Sequence, residues 1–128
     1  MYGVLGRKNL NDNVYLLLDA SERLNTRTVS LTRCLILALL SYFVDGVQYR
    51  ELKTALKLSD GKLIANLNLL RTMGYIRKSE ADANQRKIDV YSLTEKGKNE
   101  LSKIVEWMKL IQTVASEGDE KCQVILTR

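Results

Sequence analysis

Apolar residues recur at helical spacing along most of this chain and alternate only in one short region. A first helix over residues 10–24 is predicted from four apolar positions: Leu10, Val14, Leu17 and Leu18. Asn11 or Asp12 is placed to cap its start. A second helix opens at Ser30 or Thr32 and is apolar on most sides, which predicts a position at the centre of the fold.

Residues 49–97 carry the most informative pattern. A short helix over residues 49–56 is followed by a tight turn and by a second helix over residues 59–73, with Ser59 as the N-cap. The second helix has one apolar stripe, at Leu63, Leu67, Leu70 and Met73. Gly74 ends it. The pattern therefore predicts a helix that is buried on one side and free on the other.

The strand signals are few. Residues 75–80 and 88–93 are predicted strands joined by a polar loop, and residues 47–48 allow only a very short strand. A final helix is predicted over residues 94–114, with an apolar face formed by Leu101, Ile104, Val105, Met108 and Ile111. Trp107, Leu110 and Val114 add a second apolar face. The tail over residues 117–128 has no assigned structure.

These elements predict a mainly α protein with a small β-hairpin, an α+β arrangement. The length favours one domain over residues 1–128, with its core in residues 30–97. The longest apolar run, residues 34–44, is too short to cross a bilayer, and the N-terminus lacks a secretion pattern. We therefore expect a cytoplasmic protein with no membrane partner.

The residue types present exclude several chemistries. The chain has no histidine and two cysteines, Cys34 and Cys122, which lie far apart and are expected to be free thiols. No cysteine spacing is typical of a metal site, and histidine-based acid–base catalysis is impossible. The carboxylates show no paired metal-binding spacing. We expect no metal, no cofactor and no enzymatic activity.

The positive charge is concentrated in one segment. Residues 47–98 contain eleven basic and six acidic residues, a net charge of +5 that equals the net charge of the whole chain. A local positive field attracts polyanions, and binding to nucleic acid gains affinity from counterion release at phosphates. A solvated helix surface with surplus lysine is the alternative explanation.

Two stretches, LSDGKLIANLNLLRTMGYI and VYSLTEKGK, carry a family resemblance. The chain resembles the small winged-helix transcriptional regulators of bacteria and archaea, in the neighbourhood of the MarR, PadR and ArsR families. The matching elements are residues 58–61, the leucine stripe, residues 74–76, Arg86–Lys87 and residues 91–97. The resemblance implies a winged helix-turn-helix in which the helix over residues 59–73 enters the DNA major groove and the wing over residues 81–87 contacts the backbone or minor groove. It also implies flanking dimerisation helices.

The chain departs from that pattern in three respects. The wing has no proline, the metal-sensing cysteines of the arsenic regulators are absent, and the helix over residues 59–73 carries Ile64, Ala65 and Leu69 where polar residues are common. Apolar residues at these positions leave an alternative open. The chain is then a winged-helix protein-interaction module that uses this apolar face without specific DNA binding. The sequence does not identify a small-molecule effector, and sensing of a ligand, or of a redox signal through Cys34, stays open.

A helical projection from the leucine stripe assigns the DNA-contacting side chains. Asn66 or Asn68 is expected to pair with adenine, Lys62 with guanine or phosphate, and Ala65 or Leu69 with a thymine methyl group. Backbone contacts are expected from the preceding helix, the helix start and the wing: Tyr49, Arg50, Lys53, Ser59, Gly61, Gln85, Arg86 and Lys87.

The first and last helices are expected to hold two copies of the chain together, so that the partners are double-stranded DNA and the chain itself. The residues predicted at the dimer interface are Leu10, Val14, Leu17, Leu18, Leu101, Ile104, Val105, Trp107, Met108 and Ile111. A two-fold dimer presents its two recognition helices about 34–36 Å apart, which suits an inverted-repeat operator.

Overall fold

The computed structural model describes residues 11–126, and side chains through Cys122. Leu10, predicted at a dimer interface, lies outside the described residues. The elements in chain order are α1 (Asp12–Arg23), α2 (Leu31–Tyr42), β1 (Val47–Gln48), α3 (Tyr49–Leu56), α4 (Asp60–Thr72), β2 (Ile76–Ala83), β3 (Arg86–Leu93) and α5 (Glu95–Leu126). The predicted fold class, mainly helical with a small hairpin, is confirmed.

The described residues divide into two compact units, residues 25–102 and residues 11–24 with 103–126. The prediction of a single domain stays a prediction. In the larger unit the leucine stripe of α4, Leu63, Leu67 and Leu70, is fully buried, as the spacing predicts, whereas Met73 follows the helix and is half-buried. The three leucines share the core of that unit with side chains of α2 and α3: Ile36, Leu37, Leu40 and Leu52.

Helix α2 is less buried than its composition suggests. Ser30 caps it, since the Ser30 hydroxyl accepts a hydrogen bond from the Arg33 amide at 3.2 Å. One side of α2 supplies the core, but Leu31 and Tyr42 are 79% and 78% exposed. The expectation that α2 lies at the centre of the fold is therefore only half correct, because apolar composition does not by itself indicate which side of a helix is covered.

The three strands form an antiparallel sheet in the order β1-β3-β2. β2 and β3 pair until Ala83 lies opposite Arg86, so that Asn84 and Gln85 alone make the turn. Both turn residues have positive φ angles, 50° and 65°, as a two-residue hairpin turn requires. The predicted loop over residues 81–87 is wrong in this respect, because the polar residues there are paired strand rather than loop.

The junction after α4 sets the position of the hairpin. Gly74 adopts φ +80°, where glycine carries no steric penalty, and its carbonyl accepts a hydrogen bond from the Thr94 hydroxyl at 2.6 Å. The same hydroxyl accepts from the Gly97 amide at 3.0 Å and so caps α5. One threonine therefore ties the end of α4 to the start of α5.

The smaller unit contains α1 and most of α5. Asn11 caps α1, and the side-chain amides of Asn11 and Asn13 both donate to Glu117. These two hydrogen bonds, of which the one from Asn13 has the larger effect, hold the pKa of Glu117 below its ordinary value. The predicted end of the last helix near residue 114 is wrong, since α5 continues through Leu126 and includes most of the unassigned tail. Within the described residues, no helix is both long and apolar enough to span a bilayer.

Candidate nucleic-acid interface

Helix α4 follows α3 after a three-residue turn whose first residue, Lys57, is left-handed at φ 54°. Ser59 caps α4 as predicted, and its hydroxyl accepts a hydrogen bond from the Lys62 amide at 3.3 Å. A Cβ added at Gly61 would meet no atom within 4 Å, so the surface above the helix start is open. An open, capped helix start leaves its first amides available to an anion.

The outer face of α4 agrees with the projection at most positions. Gly61, Lys62, Ala65 and Asn68 are exposed, as expected. Leu69 is half-buried instead of outward-facing, which corrects its assignment to a thymine contact. Ile64, 46% exposed, and Arg71 point outward in addition to the predicted set. A projection at 100° per residue has too little resolution to separate neighbours at the edge of the buried stripe.

Asn66 is engaged within the protein. Its side-chain oxygen accepts a hydrogen bond from the Arg33 guanidinium at 2.9 Å, and its amide nitrogen donates to the Lys62 carbonyl at 2.8 Å. Bidentate pairing with adenine needs both of these groups. Asn66 is therefore a bridge between α2 and α4 in this structure, and Asn68 is the exposed amide on the same helix.

Asp60, at the start of α4, binds two side chains that are predicted to contact the DNA backbone. The Tyr49 hydroxyl donates to one carboxylate oxygen at 2.6 Å, and the Lys53 ammonium lies 3.1 Å from the other. The pKa of Asp60 lies below its ordinary value, mainly because of the hydrogen bond from Tyr49 and secondly because of that from Lys53. Sequence reasoning placed Tyr49 and Lys53 together but missed Asp60, although an acidic residue in a first helical turn is a recognisable signal.

We expect Tyr49 to ionise late. The hydrogen bond to Asp60 raises the pKa of Tyr49 from 10.0 to about 12. A raised folded-state pKa means that this bond stabilises the folded chain fully below pH 10 and that the contribution is lost as the pH rises through about 12. An NMR titration of the Tyr49 ring measures the value, and Asp60→Asn is expected to lower it towards 10.0. A Tyr49 pKa unaffected by Asp60→Asn would contradict the hydrogen bond.

A groove between the start of α3 and the hairpin brings several predicted contacts together. It has a volume of about 660 Å³ and is lined by Gln48, Tyr49, Arg50, Ala83, Asn84, Arg86, Ile88 and Asp89. Arg50 and Arg86 therefore face the same groove from different elements, and both are exposed. Gln85 and Lys87 are exposed beside them at the hairpin tip, which places all three predicted wing residues on open surface.

A second groove, of about 730 Å³, lies between α4 and the start of β2. Three basic residues that sequence reasoning did not assign, Arg71, Arg77 and Lys78, line it together with Asn68. Lys78 also lies 3.6 Å from Asp89. The signal for Arg71 was available, because it follows Asn68 by three residues and so shares its helix face. The positions of Arg77 and Lys78 could not be predicted in this way, because they depend on how β2 pairs with β3.

Comparisons with known proteins agree with this geometry. Residues 32–111, more than half of the chain, match the family model described as a winged helix DNA-binding domain. The resemblance identified from the sequence is thereby confirmed, and so is the prediction that the chain is not an enzyme, since the family is one of DNA-binding domains. No curated protein matches the chain.

Several solved structures share the fold. The YusO protein of Bacillus subtilis superposes with a TM-score of 0.65 at 17% identity, covering 90% of this chain and 80% of its own. MepR of S. aureus, solved as a DNA complex, gives 0.62 at 14% identity, with 89% and 92% covered. Transcriptional regulator Tm0710 of Thermotoga maritima gives 0.59 at 21% identity, with 89% and 81% covered. At these identities the likeness is one of fold.

Proposed function

Because this chain belongs to the winged-helix DNA-binding domain family, we propose that it is a homodimeric transcriptional regulator that binds specific double-stranded DNA sequences. Helix α4 lies in the major groove, and the β2–β3 hairpin lies on the backbone or in the minor groove. One observation carries the proposal: α4 is fixed by a fully buried leucine stripe while its opposite face is exposed, beside a groove that Arg50 and Arg86 share. The role implies a cytoplasmic location.

The exposed face of α4 supplies the base contacts. Asn68 pairs with adenine, Lys62 reaches guanine or a phosphate, and Ala65 packs on a thymine methyl group. The open start of α4 at Ser59 and Gly61 receives a phosphate through backbone amides. The remaining contacts position the protein without specifying sequence, and they come from Tyr49, Arg50, Lys53, Gln85, Arg86 and Lys87.

Asn68 and Asn66 are expected to respond differently to replacement by alanine. Asn68→Ala removes an exposed amide and relaxes sequence preference at one base pair, at a cost of roughly 1–3 kcal/mol of discrimination. Asn66→Ala breaks the bridge to Arg33 and is expected to lower the free energy of unfolding while base preference is kept. Binding to a set of single-base operator variants, together with urea unfolding, measures both effects. Loss of base preference in Asn66→Ala alone would reverse the assignment.

The homodimer is proposed from the apolar residues left exposed on α5 and α1. On α5, Val105, Met108 and Ile111 are 39%, 47% and 39% exposed and recur every three residues along one side. On α1 the exposed large apolar residues are Tyr15 and Leu16. Apolar residues grouped in this way are typical of a surface that a partner covers.

The predicted dimer contacts need adjustment at several positions. Ile104 is fully buried within the protomer, so its assignment to the partner interface is corrected. Val14, Leu17, Leu18, Leu101 and Trp107 are half-buried, and the exposed residues of α1 lie between these positions rather than at them. The spacing that marks a buried helix face does not separate burial within a chain from burial between chains.

We expect Met108→Asp to dissociate the homodimer. A charge in the middle of a covered apolar surface costs several kcal/mol unless it is paired. Sedimentation velocity at micromolar concentration should then give a monomer, whereas wild type and the control Thr113→Asp, an exposed position on another side of α5, give a dimer. A monomeric wild type, or equal sedimentation of the two variants, would contradict an interface at Met108.

The exposure of Ile64, 46% at the middle of the outer face of α4, favours the alternative function, a protein-interaction module. A matched pair of variants separates the two functions. Under DNA binding, Arg86→Gln weakens binding to duplex at every sequence. Under the alternative, Arg86→Gln has no effect on function in the cell and Ile64→Asp abolishes it.

The direct test of DNA binding is a measurement of affinity for genomic fragments, including the upstream region of its own gene, between 50 and 300 mM salt. We expect one or a few preferred fragments and a linear fall of log affinity with log salt concentration, by about 0.9 for each phosphate contact. Affinity that is independent of salt, or equal for all fragments, would overturn the proposal.

A further inference from the structure

A carboxylate of the protein lies among the groups expected to contact phosphate. Asp60 is the first residue of α4, and its two oxygens are bound by the Tyr49 hydroxyl at 2.6 Å and the Lys53 ammonium at 3.1 Å. Both partners come from α3, the preceding helix of the helix-turn-helix. Each of these two groups is predicted to contact the DNA backbone, yet in the free protein each is already bound to an anion, the Asp60 carboxylate.

The chemistry of this carboxylate resembles that of a DNA phosphate. Both are oxyanions that accept from a hydroxyl and an ammonium group, and both are favoured at the positive end of a helix. The other basic groups of the proposed interface differ, because the side-chain cations of Lys62, Arg50 and Arg86 make no hydrogen bond or ion pair with any part of the protein that the structure describes. Asp60 therefore engages two specific members of the set.

We propose that Asp60 is an internal competitor for DNA phosphate, holding Tyr49 and Lys53 until a phosphate group displaces it. This inference rests on the proposed DNA-binding function. Displacement is feasible because the contact is open to solvent: the side chains of Lys53 and Asp60 are 42% and 61% exposed, and an exposed ion pair of this kind is weak. Asp60 thus sets the affinity of the free protein for any duplex below what its basic residues alone would give.

Two simpler roles for Asp60 make different predictions. If Asp60 only caps the positive end of α4, its neutralisation changes stability and leaves DNA affinity alone. If it only repels phosphate through its charge, neutralisation raises affinity whether or not Tyr49 and Lys53 are present. Competition requires the gain in affinity to depend on the two partners.

The experiment is a double-mutant cycle on the full chain. Duplex affinity is measured for wild type and Asp60→Asn, and again in a chain that carries Tyr49→Phe and Lys53→Gln. Competition predicts that Asp60→Asn tightens binding roughly three- to tenfold in the wild-type background, which corresponds to an exposed ion pair and a hydrogen bond released for DNA. The salt dependence should steepen by about 0.9 for each added phosphate contact. No gain is expected in the doubly substituted chain.

Each other outcome overturns the inference. An equal gain in both backgrounds identifies charge repulsion, and no gain in either identifies a helix cap only. These failures leave the DNA-binding function intact, since that function is judged on the salt-dependent affinity of wild type, measured first. A wild type that binds no duplex rejects both. If circular dichroism shows that Asp60→Asn is unfolded, Asp60→Ser takes its place, because serine is neutral and compatible with a helix start.

Discussion

Replacing Arg50 and Arg86 together by glutamine is expected to weaken DNA binding on the order of 100-fold in 100 mM salt. The two arginines line one groove from α3 and from the hairpin, and neither has an ion-pair partner within the described residues. Each is therefore free to bind a phosphate, and in a homodimer every lost contact is lost twice. Glutamine keeps the stem of the side chain, so that the change removes charge with little change in packing.

The measurement is fluorescence anisotropy on a preferred fragment and on an unrelated duplex of equal length. We expect the loss to be nearly the same on both, because phosphate contacts carry no sequence information. Arg23→Gln combined with Arg27→Gln is the control, since both are exposed arginines outside the proposed interface. An equal loss in the control would mean that total charge, rather than these two positions, determines binding.

Gly97→Ala is expected to destabilise the fold by about 3 kcal/mol, because the added methyl group has no room. A Cβ at this position would lie 2.1 Å from the Tyr75 carbonyl oxygen and 2.7 Å from a Leu93 methyl carbon. The carbonyl is not free to move, because it accepts the Thr94 amide at 3.1 Å where α5 begins. The start of α5 or the base of the hairpin must therefore shift.

Gly118→Ala, in the same helix, is the matched control. No atom lies within 4 Å of its added Cβ, and the position is exposed within α5. Alanine there should stabilise the chain by up to about 1 kcal/mol, because glycine is a poor helix former. Guanidinium unfolding monitored by circular dichroism gives both values, and a Gly97→Ala variant as stable as wild type would contradict the close approach to Tyr75.

The sequence predicted elements best where local chemistry alone determines them. Ser59 caps α4, Gly74 ends it, and the leucine stripe is buried, because caps, left-handed glycines and helical periodicity need no knowledge of neighbours. The two strands of the hairpin were predicted too short, because the segment from Ala81 to Lys87 is mostly polar. Strand pairing there depends on cross-strand register, which polarity does not encode.

Local sequence patterns did not predict the hydrogen bonds and ion pairs that join side chains of different helices. Asn66 was expected to contact DNA, yet it is bonded to Arg33, thirty-three positions earlier in the chain. Asp60 was not among the predicted contact residues, yet it joins Tyr49 and Lys53. Such contacts are set by how helices pack, and periodicity and capping patterns do not indicate which side chains of neighbouring helices become partners.

A tethered DNA-cleavage experiment tests most directly the claim that the outer face of α4 lies in the major groove. An iron chelate is attached to Ala65→Cys in a chain whose own cysteines are replaced, Cys34→Ser and Cys122→Ser, and the protein is bound to a preferred fragment. We predict strand breaks confined to the major groove, in two clusters separated by about one helical turn, ~10 base pairs, one cluster for each protomer. The same chelate on Gly118→Cys, an exposed position on α5, should give no such clusters. Identical or unlocalised cleavage from the two positions would contradict the account.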